Sequence, residues 1–124
     1  MRRKFDELEM SSKKSWYNYD EGYSIGTVGA DDGAIVRDEE HHSGARMTLE
    51  EETPFAPFSI TCGVYGWMFH TRFFNDETEA DEAFDEMRNE LDRILESMPS
   101  DADAGEETAE DFAEELAMFV EMFP

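Results

Sequence analysis

The chain has 124 residues, of which 40% are hydrophobic and 13% aromatic, and its formal net charge is −22. The apolar content is too high for a disordered chain, and the length suits a single domain with its own core. Cys62 is the only cysteine, which excludes an intrachain disulfide and a multi-cysteine metal site. No apolar run reaches the length of a membrane span and the first ten residues are too polar for a signal peptide, so we expect a cytoplasmic location.

The negative charge is concentrated toward the C-terminus. Residues 1–14 carry five basic and three acidic side chains, residues 15–74 carry three and ten, and residues 75–124 carry two and nineteen. Such a field repels phosphate backbones and anionic membrane surfaces and attracts basic proteins. We therefore expect no direct binding to nucleic acid or membrane, and a basic protein as partner.

The first three-fifths of the chain has the pattern of an antiparallel β-meander. Residues 1–15 are polar and form either a frayed start or a short helix. Strands are then predicted over residues 16–19, 23–29, 34–40 and 45–52, with turns at residues 31–33 and 41–44. In the last of these strands, Met47 and Leu49 alternate with Arg46 and Thr48, as in a half-buried strand. The short connections require antiparallel pairing.

Residues 58–74 are the most apolar stretch of the chain. Seventeen extended residues would span more than about 50 Å, which is too long for one strand in a small domain. We favour two strands joined by a turn at Tyr65-Gly66, which would put Cys62 opposite His70; the alternative is one strand bent at Gly63 and Gly66. Because both faces are apolar over residues 64–69, these strands are expected at the centre of the sheet.

Two amphipathic helices are predicted after Asn75. The first begins at Asn75 or Asp76, with Glu79 placed for a capping box, and ends before Pro99. Its apolar stripe comprises Ala80, Ala83, Phe84, Met87, Leu91, Ile94, Leu95 and Met98. The second stripe comprises Ala109, Phe112, Ala113, Leu116, Phe119, Val120 and Phe123. The expected fold is therefore a single α+β domain over residues 1–124, in which four to five strands are followed by two helices packed on one face of the sheet.

The acidic residues of these helices allow three interpretations: a solvated polar face, adaptation to high salt, or a contact surface for a basic protein. The contact surface would combine carboxylates with two methionines that fall outside the main stripe, because methionine repacks easily around a partner. Its expected residues are Asp81, Asp85, Glu110, Glu114, Glu115, Met118 and Met122. This hypothesis requires the carboxylates to stay exposed instead of pairing with arginines. The methionines could equally be buried in a homodimer.

Histidine supports the main alternative, a metal-binding or hydrolytic domain. Glu40 with His42, or Glu39 with His41, could join His70 in a divalent-metal site, although adjacent histidines are also common at surface turns. Cys62 could act as a nucleophile with His70 as its base, but an acidic field raises a thiol pKa and favours a structural cysteine.

The most conspicuous aromatic residues have a simpler interpretation. Burial in the core is expected for Trp67, Phe69, Phe73, Phe74, Phe84, Phe112, Phe119 and Phe123. The glycines form no phosphate-binding loop, and no cofactor is expected. The sequence thus favours a non-enzymatic interaction or inhibitory domain that binds a basic protein through its acidic C-terminal half.

Overall fold

The computed structural model describes residues 15–99 and 105–124. Five strands form one antiparallel sheet whose order follows the chain, and two helices come after it. The strands are β1 (Trp16–Asn18), β2 (Ala34–His41), β3 (Ala45–Glu51), β4 (Phe58–Val64) and β5 (Met68–Phe74), and the helices are α1 (Glu77–Leu95) and α2 (Glu106–Met122). The predicted α+β class and meander are confirmed. The possible helix near the N-terminus lies outside the described residues.

Strand alternation gives the sheet two chemically different faces. On β3, Ala45, Met47 and Leu49 are buried in the main hydrophobic core. The residues between them, Arg46, Thr48 and Glu50, point away from that core, because successive side chains leave a strand on opposite sides. We call the first side the helix face, since α1 packs against β3, β4 and β5 there. The other side is called the open face.

The helices form where the apolar periodicity predicts them. Asp76 is the N-cap of α1, and its carboxylate accepts a hydrogen bond from the Glu79 N–H at 2.9 Å. Seven positions of the predicted stripe are buried, from Ala80 to Leu95. α1 ends at Leu95, a turn before Pro99, and residues 96–98 continue with backbone hydrogen bonds to the third residue before them, as in a 3₁₀ turn. In α2 the buried side chains are Phe112, Leu116 and Phe119, followed by Phe123 just beyond the helix.

The hairpin prediction for residues 58–74 is confirmed, but its position in the sheet is not. β4 and β5 meet at the turn around Gly66, and Cys62 lies directly opposite His70. β5, however, is an edge strand of the sheet. Central placement was inferred from apolar residues on both faces, yet Phe69 and Phe73 on the open face are 74% and 51% exposed. The second apolar face is therefore uncovered aromatic surface.

The strand predicted over residues 23–29 is wrong. This segment turns repeatedly, with hydrogen bonds from the Tyr23 N–H to Asp20 O and from the Thr27 N–H to Ser24 O. Its backbone contact with the sheet is an isolated bridge between Val28 and Ala34, beside hydrogen bonds from Gly26 to Ile35 and from Ile35 to Thr27. Gly26 has a φ of +89°, which interrupts the extended conformation that tyrosine, isoleucine and valine favour. The segment from residue 19 to residue 33 is called the crossing loop below.

The end of the described chain is attached to β5. His70 Nε2–H donates to the carbonyl oxygen of Phe123 at 2.6 Å, and Arg72 Nε–H donates to that of Pro124 at 3.0 Å. These bonds tie the two residues that follow α2 to the helix face of the edge strand. Neither described helix has the length and apolar character needed to span a bilayer.

Phe84 is one of the largest fully buried side chains of the core. Its ring is fully buried between sheet and helix, with the Arg37 guanidinium 4.0 Å from the ring centroid. We expect Phe84→Ala to lower the free energy of unfolding by about 3–5 kcal/mol, because it removes a buried ring and leaves a cavity. Urea denaturation measures this change. In the matched control, Phe73→Ala, the ring is half exposed and the expected change is within about 0.5 kcal/mol; equal losses would contradict the assigned core.

Candidate functional site

A buried carboxylate on the open face holds the first half of the crossing loop. The Asp38 side chain is fully buried. Arg46 donates to its two oxygens from Nε at 2.9 Å and Nη2 at 2.7 Å, and hydroxyls of Ser24 and Thr48 donate at 2.8 and 3.1 Å. The guanidinium of Arg46 also lies over the ring of Tyr19, 3.6 Å from its centroid. The Asp38–Arg46 pair thereby connects Tyr19 and Ser24 to the sheet.

A second buried carboxylate, that of Glu50, holds the other half of the loop. It accepts hydrogen bonds from the backbone N–H groups of Asp31, at 3.2 Å, and Gly33, at 2.9 Å. Two glycines allow this close approach. A Cβ atom on Gly29 would collide with the Glu50 carboxyl group, and one on Gly33 would lie 2.6 Å from the carbonyl oxygen of Glu51. The loop backbone therefore reaches a carboxylate that a side chain at either position would block.

Between the crossing loop and the β4–β5 hairpin, the open face forms a groove of about 750 Å³. Its floor includes Thr48, Thr61 and Gly63, and its walls carry large apolar side chains from both sides. Tyr23 and Val28 of the loop are 75% and 73% exposed, and Phe69 of the hairpin is 74% exposed. Tyr65 completes the wall, and its hydroxyl donates to Glu40 at 2.7 Å. We call this feature the aromatic groove.

The sequence did not reveal the aromatic groove. Core burial was predicted for Phe69, Phe73 and Trp67, but the first two lie on the open face of an edge strand. Trp67 is also exposed, although its ring packs edge-to-face against Phe112 at 4.7 Å. One signal was present: in residues 68–74, Phe69, Thr71 and Phe73 alternate with residues that face the helices. Alternation assigns them to a common face, but not to an uncovered one.

The residues predicted for a basic partner fall into two groups. The first group, Glu110, Glu114, Glu115, Met118 and Met122, lies on α2 and is called the α2 surface. Glu110 and Glu114 are exposed, Glu115 is partly exposed, and the methionines are 61% and 58% exposed. Within the described residues, none of these three carboxylates forms an ion pair. Arg93 of α1 lies close enough for the Glu115 charge to help raise its pKa, after the larger effect of Glu90, but it forms no ion pair with Glu115.

The second group, Asp81 and Asp85, lies on α1 and contacts arginine. Arg37 on the helix face of β2 reaches Asp85 at 3.0 Å and Asp81 at 3.4 Å. Arg88 of α1 contacts Glu39 of the same strand at 2.6 Å. These ion pairs connect α1 to β2 at the rim of the core. Asp81 and Asp85 remain about half exposed, so they retain a solvent-facing side while serving the fold.

The structure does not bring the predicted metal ligands together. His41 points to the helix face, whereas Glu40 points to the open face, where Tyr17 and Tyr65 donate to it. His70 lies on β5, separated from β2 by two strands, which is a distance of roughly 14 Å. The exposed ring of His42 stacks on His41. Among residues 15–99 and 105–124, no three His, Cys, Asp or Glu side chains are arranged to hold a metal ion.

His41 has a structural arrangement of its own. The Ser43 N–H donates to Nδ1 at 3.0 Å, so that nitrogen carries no proton, and Nε2–H donates to Asp92 at 2.7 Å. Both ring nitrogens are therefore occupied, and neither offers a lone pair to a substrate. Burial lowers the His41 pKa below 6.5, against the opposing effect of Asp92. His41 joins the β2–β3 turn to α1 as a neutral ring.

Cys62 and His70 are neighbours in register, but they do not form a nucleophile and base. Burial raises the pKa of the Cys62 thiol to about 12, so the thiol stays protonated near neutral pH. His70 Nε2–H is engaged by the carbonyl oxygen of Phe123. Cys62 is fully buried in the main core, which agrees with the structural interpretation.

Comparison with known proteins adds no assignment: no family model, curated protein or solved structure matches this chain significantly. The α2 surface and the aromatic groove are therefore the features of the molecule that point to a function.

The arrangement of His41 predicts an unusual titration. Because protonation must occur at Nδ1, it would break the bond from Ser43, and His41 should remain neutral at pH 6.5 with its proton on Nε2. Nitrogen-detected NMR measures both the protonation state of the ring and the nitrogen that carries its proton. A pKa lowered in the folded state means that the unfolded chain binds more protons, so the His41 contribution to stability is complete above about pH 6.5 and is lost as the pH falls.

Asp92→Asn is the informative variant for this titration. It keeps an oxygen acceptor for Nε2–H but removes the negative charge that opposes the effect of burial. The His41 pKa should therefore fall further in the variant. A His41 pKa above 6.5 in the unmodified protein, or a rise in the variant, would contradict the assigned hydrogen bonds.

Proposed function

We propose that this chain is a non-enzymatic binding domain whose α2 surface contacts a basic protein. The observation that carries the proposal is the position of the two exposed methionines. Glu110, Glu114, Met118 and Met122 follow one another at intervals of four residues, which places them along one side of the helix. An outward row of two carboxylates and two large apolar side chains therefore follows the helix axis, with Glu115 beside it.

Repulsion between the carboxylates of the α2 surface favours the binding of a basic partner. Like charges four residues apart, such as Glu110 and Glu114, cost a few tenths of a kcal/mol in helix stability. A lysine or arginine of a partner would relieve that repulsion and form an ion pair in the same step. The net charge of −22 would also steer a basic protein toward the domain and speed the encounter.

The methionines supply the apolar contact area that charged side chains cannot. Rim ion pairs contribute little affinity, whereas a few apolar anchors buried at the centre of an interface contribute most of it. Met118 and Met122 can fit an irregular apolar surface, because the unbranched thioether chain adopts many conformations. A partner segment with both basic and apolar side chains fits this pattern. A small inhibitory domain would act by covering such a basic surface on its partner.

Asp81 and Asp85 have a secondary place in the proposal. Each contacts Arg37, so a partner cation would have to share the carboxylate with an arginine that already neutralises it. On the α2 surface, Glu110, Glu114 and Glu115 form no ion pair with a described residue, and Arg93 acts on Glu115 only from a longer distance. We therefore place the main contact on α2 and assign Asp81 and Asp85 a supporting electrostatic role.

Paired charge variants test the proposal. Affinity capture at low salt followed by mass spectrometry would identify the basic partner, and titration calorimetry would then compare variants. Removing three charges with Glu110→Gln, Glu114→Gln and Glu115→Gln should weaken binding by about tenfold or more, on the scale of a few tenths to 1 kcal/mol per charge pair. Met118→Ser with Met122→Ser should weaken it similarly, without the same dependence on salt.

The control removes three charges elsewhere. Glu77→Gln, Glu82→Gln and Glu96→Gln change exposed residues of α1 and the turn after it, and they give the same net charge. This variant should bind within about twofold of the original protein. Recovery of no basic protein, or equal losses in both triple variants, would refute a contact on α2. The salt-adaptation alternative predicts instead that the domain unfolds at low salt, which thermal melting against KCl measures.

A further inference from the structure

The aromatic groove is separate from the α2 surface, because it lies on the open face of the sheet and α2 packs toward the other face. Its volume of about 750 Å³ falls within the range of roughly 300–1,000 Å³ that is typical of small-molecule sites. Large apolar side chains seldom stand exposed around one concavity without a function. Here Tyr23, Val28 and Phe69 are each about three-quarters exposed around it.

The charges of the groove exclude an anionic ligand. Among the described residues, Arg46 is the only basic one that lines it. Its Nε and one Nη donate to Asp38, and its planar face lies on Tyr19, so the guanidinium is already neutralised and stacked. The exposed carboxylate that lines the groove belongs to Asp20. An anion would meet this carboxylate and the field of a strongly acidic chain without a free cation to bind.

The same features favour a cation. Aromatic rings attract cations to their faces through the negative charge of the π system. The attraction of the Tyr65 ring for a cation is strengthened, because its hydroxyl donates a hydrogen bond to Glu40 and electron density shifts toward the ring. Burial, together with the neighbouring Glu40 carboxylate, raises the pKa of Tyr65, which keeps the hydroxyl protonated. Apolar walls and a negative field together suit a positively charged group carried on an aromatic or aliphatic body.

We propose that the aromatic groove binds a small organic cation with an apolar body, such as an aromatic or alkyl amine. The amine would lie toward Asp20 and the tyrosine rings, and the apolar body would pack against Phe69 and Val28. Thr48 and Thr61 on the floor already donate their hydroxyl protons to Asp38 and Asp31, so each offers a polar substituent only an oxygen lone pair. The site is pre-formed, because the crossing loop is already fixed by Asp38 and Glu50.

Matched fragments test the charge preference. Amide chemical shifts of the full chain would be followed while 2-phenylethylammonium, 2-phenylethanol or 3-phenylpropionate is added at constant ionic strength. The cation should bind saturably with a Kd on the order of 1 mM, as expected for a ligand of this size. The largest shifts should fall on Gly63, Gly66 and Phe69. The anion should bind at least about tenfold more weakly, with the alcohol between them.

Two phenylalanines of β5 provide the matched variants. Phe69 and Phe73 share a strand and the open face, and both are exposed, but only Phe69 lines the groove. Phe69→Ser should weaken binding of the cation by about fivefold or more, and Phe73→Ser should leave it unchanged. Since both rings are exposed, thermal melting should show two folded proteins of similar stability.

Four results would overturn the proposal: equal binding of the three fragments, shifts centred on the α2 surface, equal effects of the two serine variants, or no saturable binding. A further result would assign the groove to another occupant. If the groove amides shift with protein concentration in the absence of a fragment, a second copy of the chain occupies it, and the small-molecule proposal fails.

Discussion

The arrangement of the open face depends on the burial of two carboxylates, Asp38 and Glu50. Removing an ionised carboxylate from water costs several kcal/mol unless donors replace the lost solvent. The sheet supplies some of these donors through Arg46 and Thr48. The crossing loop supplies the others, from the Ser24 hydroxyl and from the backbone of Asp31 and Gly33. Folding the loop over this part of the sheet therefore satisfies charges that no helix covers.

This constraint explains why an aromatic groove exists. Asp38 and Glu50 hold the loop over β2 and β3, and Asp31 of the loop accepts a hydrogen bond from Thr61 of β4. The loop stops short of Phe69 and Phe73 on β5, however, and these rings stay exposed. The hairpin aromatics thus remain uncovered on the same face that carries a buried ionic network. The helix face is covered in the usual way of α+β domains, because α1 and α2 bury a contiguous apolar core against it. The two faces of the sheet accordingly differ: the acidic helix with its exposed methionines lies on the helix face, and the aromatic groove lies on the open face.

Local pattern was enough to predict most of the secondary structure. Apolar residues at steps of three and four located α1 and α2, the alternation around Met47 and Leu49 located β3, and the hairpin register placed Cys62 opposite His70. These signals depend on neighbours along the chain, so they need no knowledge of the rest of the fold. The strand prediction for residues 23–29 failed because side-chain propensity was outweighed by the hydrogen bond that the Ser24 hydroxyl donates to Asp38 and by the positive φ of Gly26.

The candidate sites were less predictable, because they depend on what covers each face. Alternation put Phe69 and Phe73 on one side of a strand, but only the strand order shows that this side lies at the edge of a sheet without a helix above it. The proposed metal ligands failed for the same reason: His41 and His70 are separated by two strands. Asp38 and Glu50 belong to residue types that are nearly always exposed, so nothing in the sequence marked them as buried anchors.

The groove is pre-formed only if Glu50 fixes the crossing loop, and amide hydrogen exchange measures this directly. In the folded chain, the amide protons of Gly33 and Asp31 should exchange several orders of magnitude more slowly than those of an unstructured loop, because a buried carboxylate accepts both. The exposed Gly66 amide in the hairpin turn provides an internal comparison. Exchange of Gly33 and Asp31 at the rate of an open loop would show that the carboxylate does not hold the backbone, and the pre-formed groove would have no physical basis.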